Sequence, residues 1–116
     1  ATSGAGRYLT RDYIEQHPTS NLIDLLKTVP GIRIRCPRRD GVCTLSMTRS
    51  PPDCSVKYFL DGLPTHSSAL YMTSPRDIEG IEIYSGPSET PPEYEGYRSL
   101  CGVIVLWTRV GRRPPP

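Results

Sequence analysis

Residues 81–109, IEIYSGPSETPPEYEGYRSLCGVIVLWTR, decide the fold of this chain. Two runs of β-forming residues, 81–83 and 103–107, flank a long connection. The second run is apolar almost throughout, which predicts a central strand covered on both faces. The connection, residues 86–100, is too long to be plain linkage in a compact domain. We therefore expect it to be functional, pinned by Cys101, or both.

The rest of the chain predicts short helices and strands around these two runs. Thr10 can cap a helix from Arg11 to Gln16, and a second helix begins at Thr19 or Ser20 and stops at Pro30-Gly31. Further strands are predicted over 32–35, 43–47 and 56–60, and a short helix from Ser74-Pro75 through Ile78. The sequence thus predicts an α+β fold, a small mixed β-sheet with short helices packed on it.

Length and composition set the limits of this fold. With 116 residues the chain fits one domain, and 13 prolines and 10 glycines predict that loops occupy much of it. The formal net charge of +2 does not by itself indicate a polyanionic partner. The sequence contains no apolar run of about 20 residues and no leader before Ala1, so we expect a soluble, processed chain without a transmembrane segment.

Four cysteines without a C-x-x-C pair predict two disulfides and an extracytoplasmic location, which is secreted, on the cell surface, or in the periplasm or outer membrane. We favour Cys36 with Cys43, because they flank the turn-forming segment PRRDGV, and Cys54 with Cys101. A zinc site that uses these thiolates with His17 or His66 is the alternative, but the spacings match no structural zinc pattern.

Short motifs recur in a defined order along the chain. They are Pro30-Gly31, Asp61-Gly62, Ile81-Glu82-Ile83, Gly86-Pro87, Gly102-Val103-Ile104 and Thr108-Arg109. In order and spacing, residues 8–109 resemble the plug domain of TonB-dependent outer-membrane receptors. The resemblance implies a domain that sits inside a barrel, occludes its pore, helps to bind a ligand such as an iron chelate, and is remodelled through an N-terminal box that TonB grips.

This sequence departs from the family at residues that contact the barrel wall or TonB. Family members carry an arginine before the Gly-Pro pair and a second one in an Arg-Gly motif, and both meet acidic residues of the barrel wall. Here Ser85 occupies the first position, and Arg49 is kept but Ser50 follows it. Cys101 replaces a family glycine, and ATSGAGRYLT shows no TonB-box pattern. We therefore expect a plug fold without its barrel, divided into an extended segment 1–7, a plug-like domain 8–109 and a Pro-rich tail 110–116.

No catalytic or cofactor site is predicted. His17 and His66 fall in loops, no nucleophile with a base can be assembled, and the glycines form no phosphate-binding pattern, so we expect neither an enzyme nor a cofactor. Asp77, Glu79 and Glu82 straddle a helix-to-strand boundary, and we expect them to be solvated.

The basic residues of the predicted hairpin form the first candidate interaction site. They are Arg33, Arg35, Arg38 and Arg39. Guanidinium groups on one face could grip carboxylates or phosphates bidentately, whereas the alternative is a charged face that protects a sheet edge from pairing. Aromatic residues are not interleaved with them, so nucleic acid is not an expected partner.

The second candidate interaction site combines the long connection with the tail. Its residues are Tyr94, Tyr97, Arg112, Arg113, Pro114, Pro115 and Pro116. A polyproline segment is preorganised to pack on a tyrosine-lined groove, and head-to-tail contacts between copies generate an open filament.

These features give two functional hypotheses. The first is a non-enzymatic secreted or cell-surface module that binds copies of itself or another surface protein, as the subunit of an extracellular filament. The alternative is a ligand-binding and gating plug domain of a TonB-dependent receptor. Ser-Pro and Thr-Pro pairs, such as Ser50-Pro51 and Thr90-Pro91, also predict O-linked glycosylation.

Overall fold

A five-stranded mixed sheet is the centre of the fold in the computed structural model, which describes residues 6–37, 43–95 and 101–110. The strands are β1 Arg7–Leu9, β2 Ile32–Arg35, β3 Thr44–Met47, β4 Lys57–Leu60, β5 Leu63–Thr65, β6 Ile78–Tyr84 and β7 Val103–Thr108. The large sheet has the order β1-β6-β7-β4-β5, and β2 and β3 form a separate antiparallel hairpin. Only β4 and β7 pair in parallel within the large sheet, so the predicted mixed sheet is confirmed.

Strand β7 is central, as its apolar sequence predicts. It pairs with β6 on one side and β4 on the other, and the residues Val103, Ile104, Val105 and Leu106 are fully buried. Gly102 lets this strand begin close to the hairpin, with φ of 100°. A Cβ there would lie 2.8 Å from both Met47 Cγ and the Tyr84 carbonyl oxygen, so another residue would force the hairpin and β6 apart.

In the described residues, four short α-helices and one 3-10 helix lie around the sheet. They are α1 Arg11–Gln16, α2 Leu22–Leu26, α3 Ala69–Met72, α4 Pro92–Glu95 and the 3-10 helix Pro75–Asp77. Thr10 caps α1 as predicted, because its side chain accepts from the Tyr13 amide. The predicted start of the second helix at Thr19 or Ser20 was wrong: the helix begins at Leu22, and Asn21 caps it, because its side chain accepts from the Asp24 amide at 2.8 Å.

The sheet separates two hydrophobic clusters. Helices α1 to α3 and the hairpin pack on the first face, where Ile81, Ile83, Ile104 and Leu106 point into the larger cluster. The second face carries a smaller aromatic-rich cluster of Phe59, Tyr84, Tyr94, Val103 and Val105, with Trp107 at its border. Because side chains alternate along a strand, neighbouring residues of β7 supply both clusters.

The Asp61-Gly62 turn is tied to the end of β7. Asp61 has a positive φ of 51°, and its carboxylate accepts hydrogen bonds from the Thr108 amide and the Thr108 hydroxyl, both at 2.8 Å. These bonds join the β4–β5 turn to the last residue of β7. Two of the predicted motifs, separated by 47 residues, therefore meet in space.

Both predicted disulfides form. Cys36 pairs with Cys43 with a Cα–Cα distance of 4.1 Å, and Cys54 pairs with Cys101 with a Cα–Cα distance of 5.3 Å. The first pair closes the hairpin one position beyond the Arg35–Thr44 pair of its register. The second pair joins the connection after β3 to the start of β7.

Candidate functional site

A cavity of about 420 Å³ lies between β1, the Pro30-Gly31 turn, β3 and the segment that follows β6. Its charged lining consists of Arg7, Arg49 and Glu89, with Ser85 beside them. The two guanidinium groups and one carboxylate leave this lining with a formal charge of +1. We refer to this space as the arginine cavity.

The segment 85–91, here called the strap, forms one wall of the arginine cavity. Its turn is built on Gly86-Pro87: the Glu89 amide and the Thr90 hydroxyl both donate to the Gly86 carbonyl, at 3.1 and 2.8 Å. The Glu89 side chain folds back so that Oε1 accepts from the Ser85 amide at 2.8 Å. The strap is thus closed by hydrogen bonds within seven residues.

Glu89 also tethers the strap to the connection after β3. Its Oε2 accepts from Arg49 Nη1 at 3.0 Å, and the side chain of Glu89 is 17% exposed while that of Arg49 is 67% exposed. The ion pair therefore lies at the edge of the solvent, where screening is strong. Glu89 thus contacts both positions at which the family resemblance implies an arginine: the side chain of Arg49 and the backbone amide of Ser85.

Arg7 lines the same cavity from the edge strand β1, where its own side chain is exposed. Its Nη1 donates a long hydrogen bond of 3.4 Å to the Pro30 carbonyl, and no described carboxylate lies within ion-pair distance of its guanidinium. Arg7 is therefore the charged group of the arginine cavity that lacks a counter-charge among the described residues.

A second pocket of about 260 Å³ lies between β3 and the β4–β5 hairpin. Its polar side chains are Thr44, Ser55, Lys57, Tyr58, Thr65, His66 and Ser67. Among the described residues that line it, two side chains are basic, most of the others bear hydroxyl groups and none is a carboxylate. Such a lining suits an oxygen-rich, anionic ligand. We refer to it as the hydroxyl pocket.

Tyr58 sits at the base of the hydroxyl pocket and also belongs to the larger core. Burial, with a smaller effect from nearby Tyr71, raises the pKa of Tyr58 from 10.0 to about 12. Its phenol therefore stays protonated over the physiological range. Tyr71 is itself engaged, because its hydroxyl accepts a hydrogen bond from the Cys43 amide.

The expectation that Glu82 is solvated was wrong. Glu82 is only 7% exposed, and its two carboxylate oxygens accept from the Tyr84 hydroxyl and from Trp107 Nε1, each at 2.5 Å. Burial, followed by the hydrogen bond to Glu82, raises the pKa of Tyr84 above its ordinary value. The Tyr8 hydroxyl lies 3.5 Å from that of Tyr84. Glu82 thus lies on a covered face of the sheet, and its donor Trp107, 25 residues away, leaves no local signal in the sequence.

The two described arginines of the basic hairpin, Arg33 and Arg35, differ in their surroundings. Arg33 donates to Ser46 Oγ at 2.9 Å and to the carbonyls of Ser50 and Thr48 at 3.1 and 3.3 Å. The guanidinium of Arg33 thus holds the chain that leaves β3, and its role in partner binding stays a prediction. Arg35 is exposed at the end of β2, and Arg38 and Arg39 lie outside the described residues.

Tyr94 is a core residue rather than a surface contact. It is 5% exposed, and its ring packs on Phe59 with 4.6 Å between the ring centroids. Its assignment to a tyrosine-lined binding surface is therefore corrected, since a phenyl partner on β4 had no signal in the sequence of the connection. The other predicted residues of that surface lie outside the described ranges: Tyr97, Arg112, Arg113, Pro114, Pro115 and Pro116.

Residues 6–37, 43–95 and 101–110 contain neither a metal-binding cluster nor a membrane-spanning helix. No group of three histidine, cysteine, aspartate or glutamate side chains among them is placed to hold a metal ion. None of the helices in these ranges is long and apolar enough to span a membrane.

The comparisons with known proteins concern family and fold. The family model of the TonB-dependent receptor plug domain matches residues 1–95. A sequence search among curated proteins gives no significant match.

Solved structures share the fold over nearly the whole chain. The RagAB peptide importer is similar with a TM-score of 0.71 and 20% identity over 94% of this chain and 12% of its own. The siderophore receptor PirA from Acinetobacter baumannii has a TM-score of 0.67 and 19% identity, over 92% of this chain and 17% of its own. PirA from Pseudomonas aeruginosa has a TM-score of 0.63 and 22% identity, over 99% of this chain and 20% of its own.

The chain thus spans between 12% and 20% of the length of these receptors. At these identities the similarity shows the fold, and it agrees with the family match. Plug domains are transport and gating modules of outer-membrane receptors, which places the chain outside the cytoplasm, as the cysteines predict. The chain belongs to the family of TonB-dependent receptor plug domains.

Proposed function

We propose that the chain is the gating and ligand-binding plug of a TonB-dependent outer-membrane receptor. The observation that carries this proposal is the family match over residues 1–95, which coincides with a plug fold over 94% of the chain. This is the alternative hypothesis from the sequence, and the comparisons favour it over a filament subunit. Its role is to close a pore and contact a ligand, without enzymatic turnover.

The hydroxyl pocket supports the ligand-binding part of this function. The hydroxyl pocket offers Lys57, His66 and several hydroxyl groups to a ligand. The receptors of similar fold include a peptide importer and siderophore receptors. The pocket chemistry favours an anionic iron chelate rich in oxygen atoms over a cationic peptide, because the described lining contains no carboxylate.

Gating is tested in cells that carry the intact gene. If the chain plugs a pore, in-frame deletion of the codons for residues 8–109 makes the outer membrane permeable to a large antibiotic that wild-type cells exclude. The control is a strain without the gene, in which exclusion persists. Unchanged exclusion, with the shortened protein present in the outer membrane, contradicts the proposal.

Ligand contact is tested with the purified chain. Binding of a ferric catecholate chelate shifts the amide signals of residues 65–67 in NMR spectra, and the Lys57→Met variant weakens this binding. Lys27→Met is the matched control, because Lys27 is exposed, pairs with Asp24 and does not line the hydroxyl pocket. Equal weakening in both variants, or shifts elsewhere in the domain alone, contradicts assignment of the ligand to the hydroxyl pocket.

The filament hypothesis stays a prediction. Its remaining residues lie in segment 96–100 and in the tail, outside the described residues, and Tyr94 is buried. Deletion of residues 110–116 leaves the sedimentation profile unchanged if the chain is a plug. Loss of an assembled species on this deletion would favour the filament.

A further inference from the structure

The arginine cavity has the chemistry of an acid-binding site whose donors are partly occupied from within the chain. Glu89 is the one carboxylate in its described lining, and it takes a hydrogen bond from the Ser85 amide and another from Arg49. Arg7 faces the same space with only a long bond to the Pro30 carbonyl. The described lining of the cavity therefore contains two guanidinium groups and one carboxylate.

We propose that the arginine cavity is a binding site for an external carboxylate, which the chain keeps closed with its own Glu89. The incoming carboxylate replaces Glu89 on Arg49 Nη1 and on the Ser85 amide, and Arg7 supplies the second guanidinium. Charge-assisted bonds from guanidinium and amide donors recognise a carboxylate from an acidic peptide or a small free dicarboxylate alike. Glu89 thus acts as an internal competitor.

The contacts on either side of the strap explain why this closure is reversible. The Arg49 side chain is 67% exposed, so water and salt weaken its pair with Glu89. The Cys54–Cys101 disulfide joins the same two connections of the chain covalently. When the ion pair opens, the disulfide still holds these connections together, and the released Glu89 exposes the cavity without loss of the fold.

An internal competitor lowers the apparent affinity for an external ligand by the fraction of molecules in which the site is open. Removing the charge of Glu89 raises that fraction and should tighten carboxylate binding by about tenfold, if the closed form holds nine molecules in ten. This inference concerns the chain alone, and its outcome does not depend on whether the chain gates a pore.

The test is an NMR titration of the purified full chain, with glutarate in one arm and a short acetylated, amidated peptide containing two aspartates in the other. Glu89→Gln should bind at least one of them about tenfold more tightly than wild type. The Ser85 amide signal should report the binding. Glu93→Gln is the matched control, since Glu93 is exposed on α4 near the strap.

Loss of binding in Arg49→Gln and in Arg7→Gln, each in the Glu89→Gln background, completes the expected result. Both arginines are exposed, so these variants should keep the fold, which circular dichroism checks. Binding to glutarate and peptide alike assigns the site to the carboxylate group itself. Binding to the peptide alone assigns it to an acidic protein segment. Equal affinities in Glu89→Gln and Glu93→Gln, or binding that persists without both arginines, overturn the proposal.

Discussion

The two faces of the five-stranded sheet are built from the same strands but differ in chemistry. The first face is aliphatic and lies under helices α1 to α3, with Ile81 and Ile104 fully buried. The second face mixes aromatic rings with the buried carboxylate of Glu82, and the connection after β6 covers it through Tyr94. The first face depends mainly on packing, whereas the second also depends on the hydrogen bonds of Glu82 and on a long connection being held in place.

The two faces should differ in which substitutions they tolerate. Aliphatic packing loses free energy with each buried methylene, so the first face should be sensitive to side-chain volume. A buried carboxylate costs desolvation unless its donors stay in place, so the second face should be sensitive to polarity and to the position of its cover. The predictions below separate these two kinds of sensitivity.

The largest effect is expected from the disulfide that holds the cover of the second face. Replacing Cys54 and Cys101 by serine opens a link of sequence separation 47, and chain entropy predicts a loss of about 4 kcal/mol in the free energy of unfolding. The Cys36–Cys43 link has a separation of 7, and its removal should cost about 2.5 kcal/mol. Urea denaturation measures both. Equal losses, or a greater loss for the hairpin pair, would contradict the chain-entropy account.

The next effect concerns volume on the first face. Ile104→Ala removes a fully buried side chain from the centre of the sheet and should lower the free energy of unfolding by about 3 kcal/mol. The urea midpoint should fall while the m-value stays constant, because the surface exposed on unfolding hardly changes. A loss below about 1 kcal/mol would mean that the core relaxes around the gap.

The first face could be predicted largely from the sequence. The apolar run of β7 and the Thr10 cap carry strong local signals, and the structure confirms both. The predicted stop at Pro30-Gly31 was wrong, because the second helix already ends at Leu26. Four elements of three or four residues were missed, namely β1, β5, α3 and α4. A run this short shows a period only where alternating apolar and polar residues mark it, as they do in β2. The positions of the missed elements are set by pairing and packing with distant segments.

The second face and the strap could not be predicted in the same way. The burial of Glu82 depends on Trp107, 25 residues away, and the Arg49–Glu89 pair spans 40 residues. Such contacts leave no local pattern, so the sequence did not indicate the arginine cavity, whose lining comes from four separate segments of the chain. The cysteine pairing succeeded because the turn between Cys36 and Cys43 constrains one pair and leaves the other by default.

A smaller effect should follow from a change of polarity on the second face. Glu82→Gln keeps the shape but loses the charge that strengthens the bonds from Tyr84 and Trp107, and we expect a loss of about 2 kcal/mol. Glu79→Gln on the same strand is the control and should change stability by less than about 0.5 kcal/mol. A loss in Glu79→Gln as large as that in Glu82→Gln would show that strand charge, rather than the buried bonds, matters.

The smallest effect returns to the first face and concerns pH. Burial raises the pKa of Tyr58 from its ordinary 10.0 to about 12 in the folded chain, so the folded state retains a proton that the unfolded state releases. Its contribution to stability is fully present below pH 10 and is lost as pH rises from there through about 12. At pH 11 the loss is about 1 kcal/mol by linkage. In Tyr58→Phe this part of the alkaline decline should vanish. Urea midpoints at pH 9 and pH 11 measure it, and parallel declines in wild type and variant would show that ionisation of other groups governs alkaline stability.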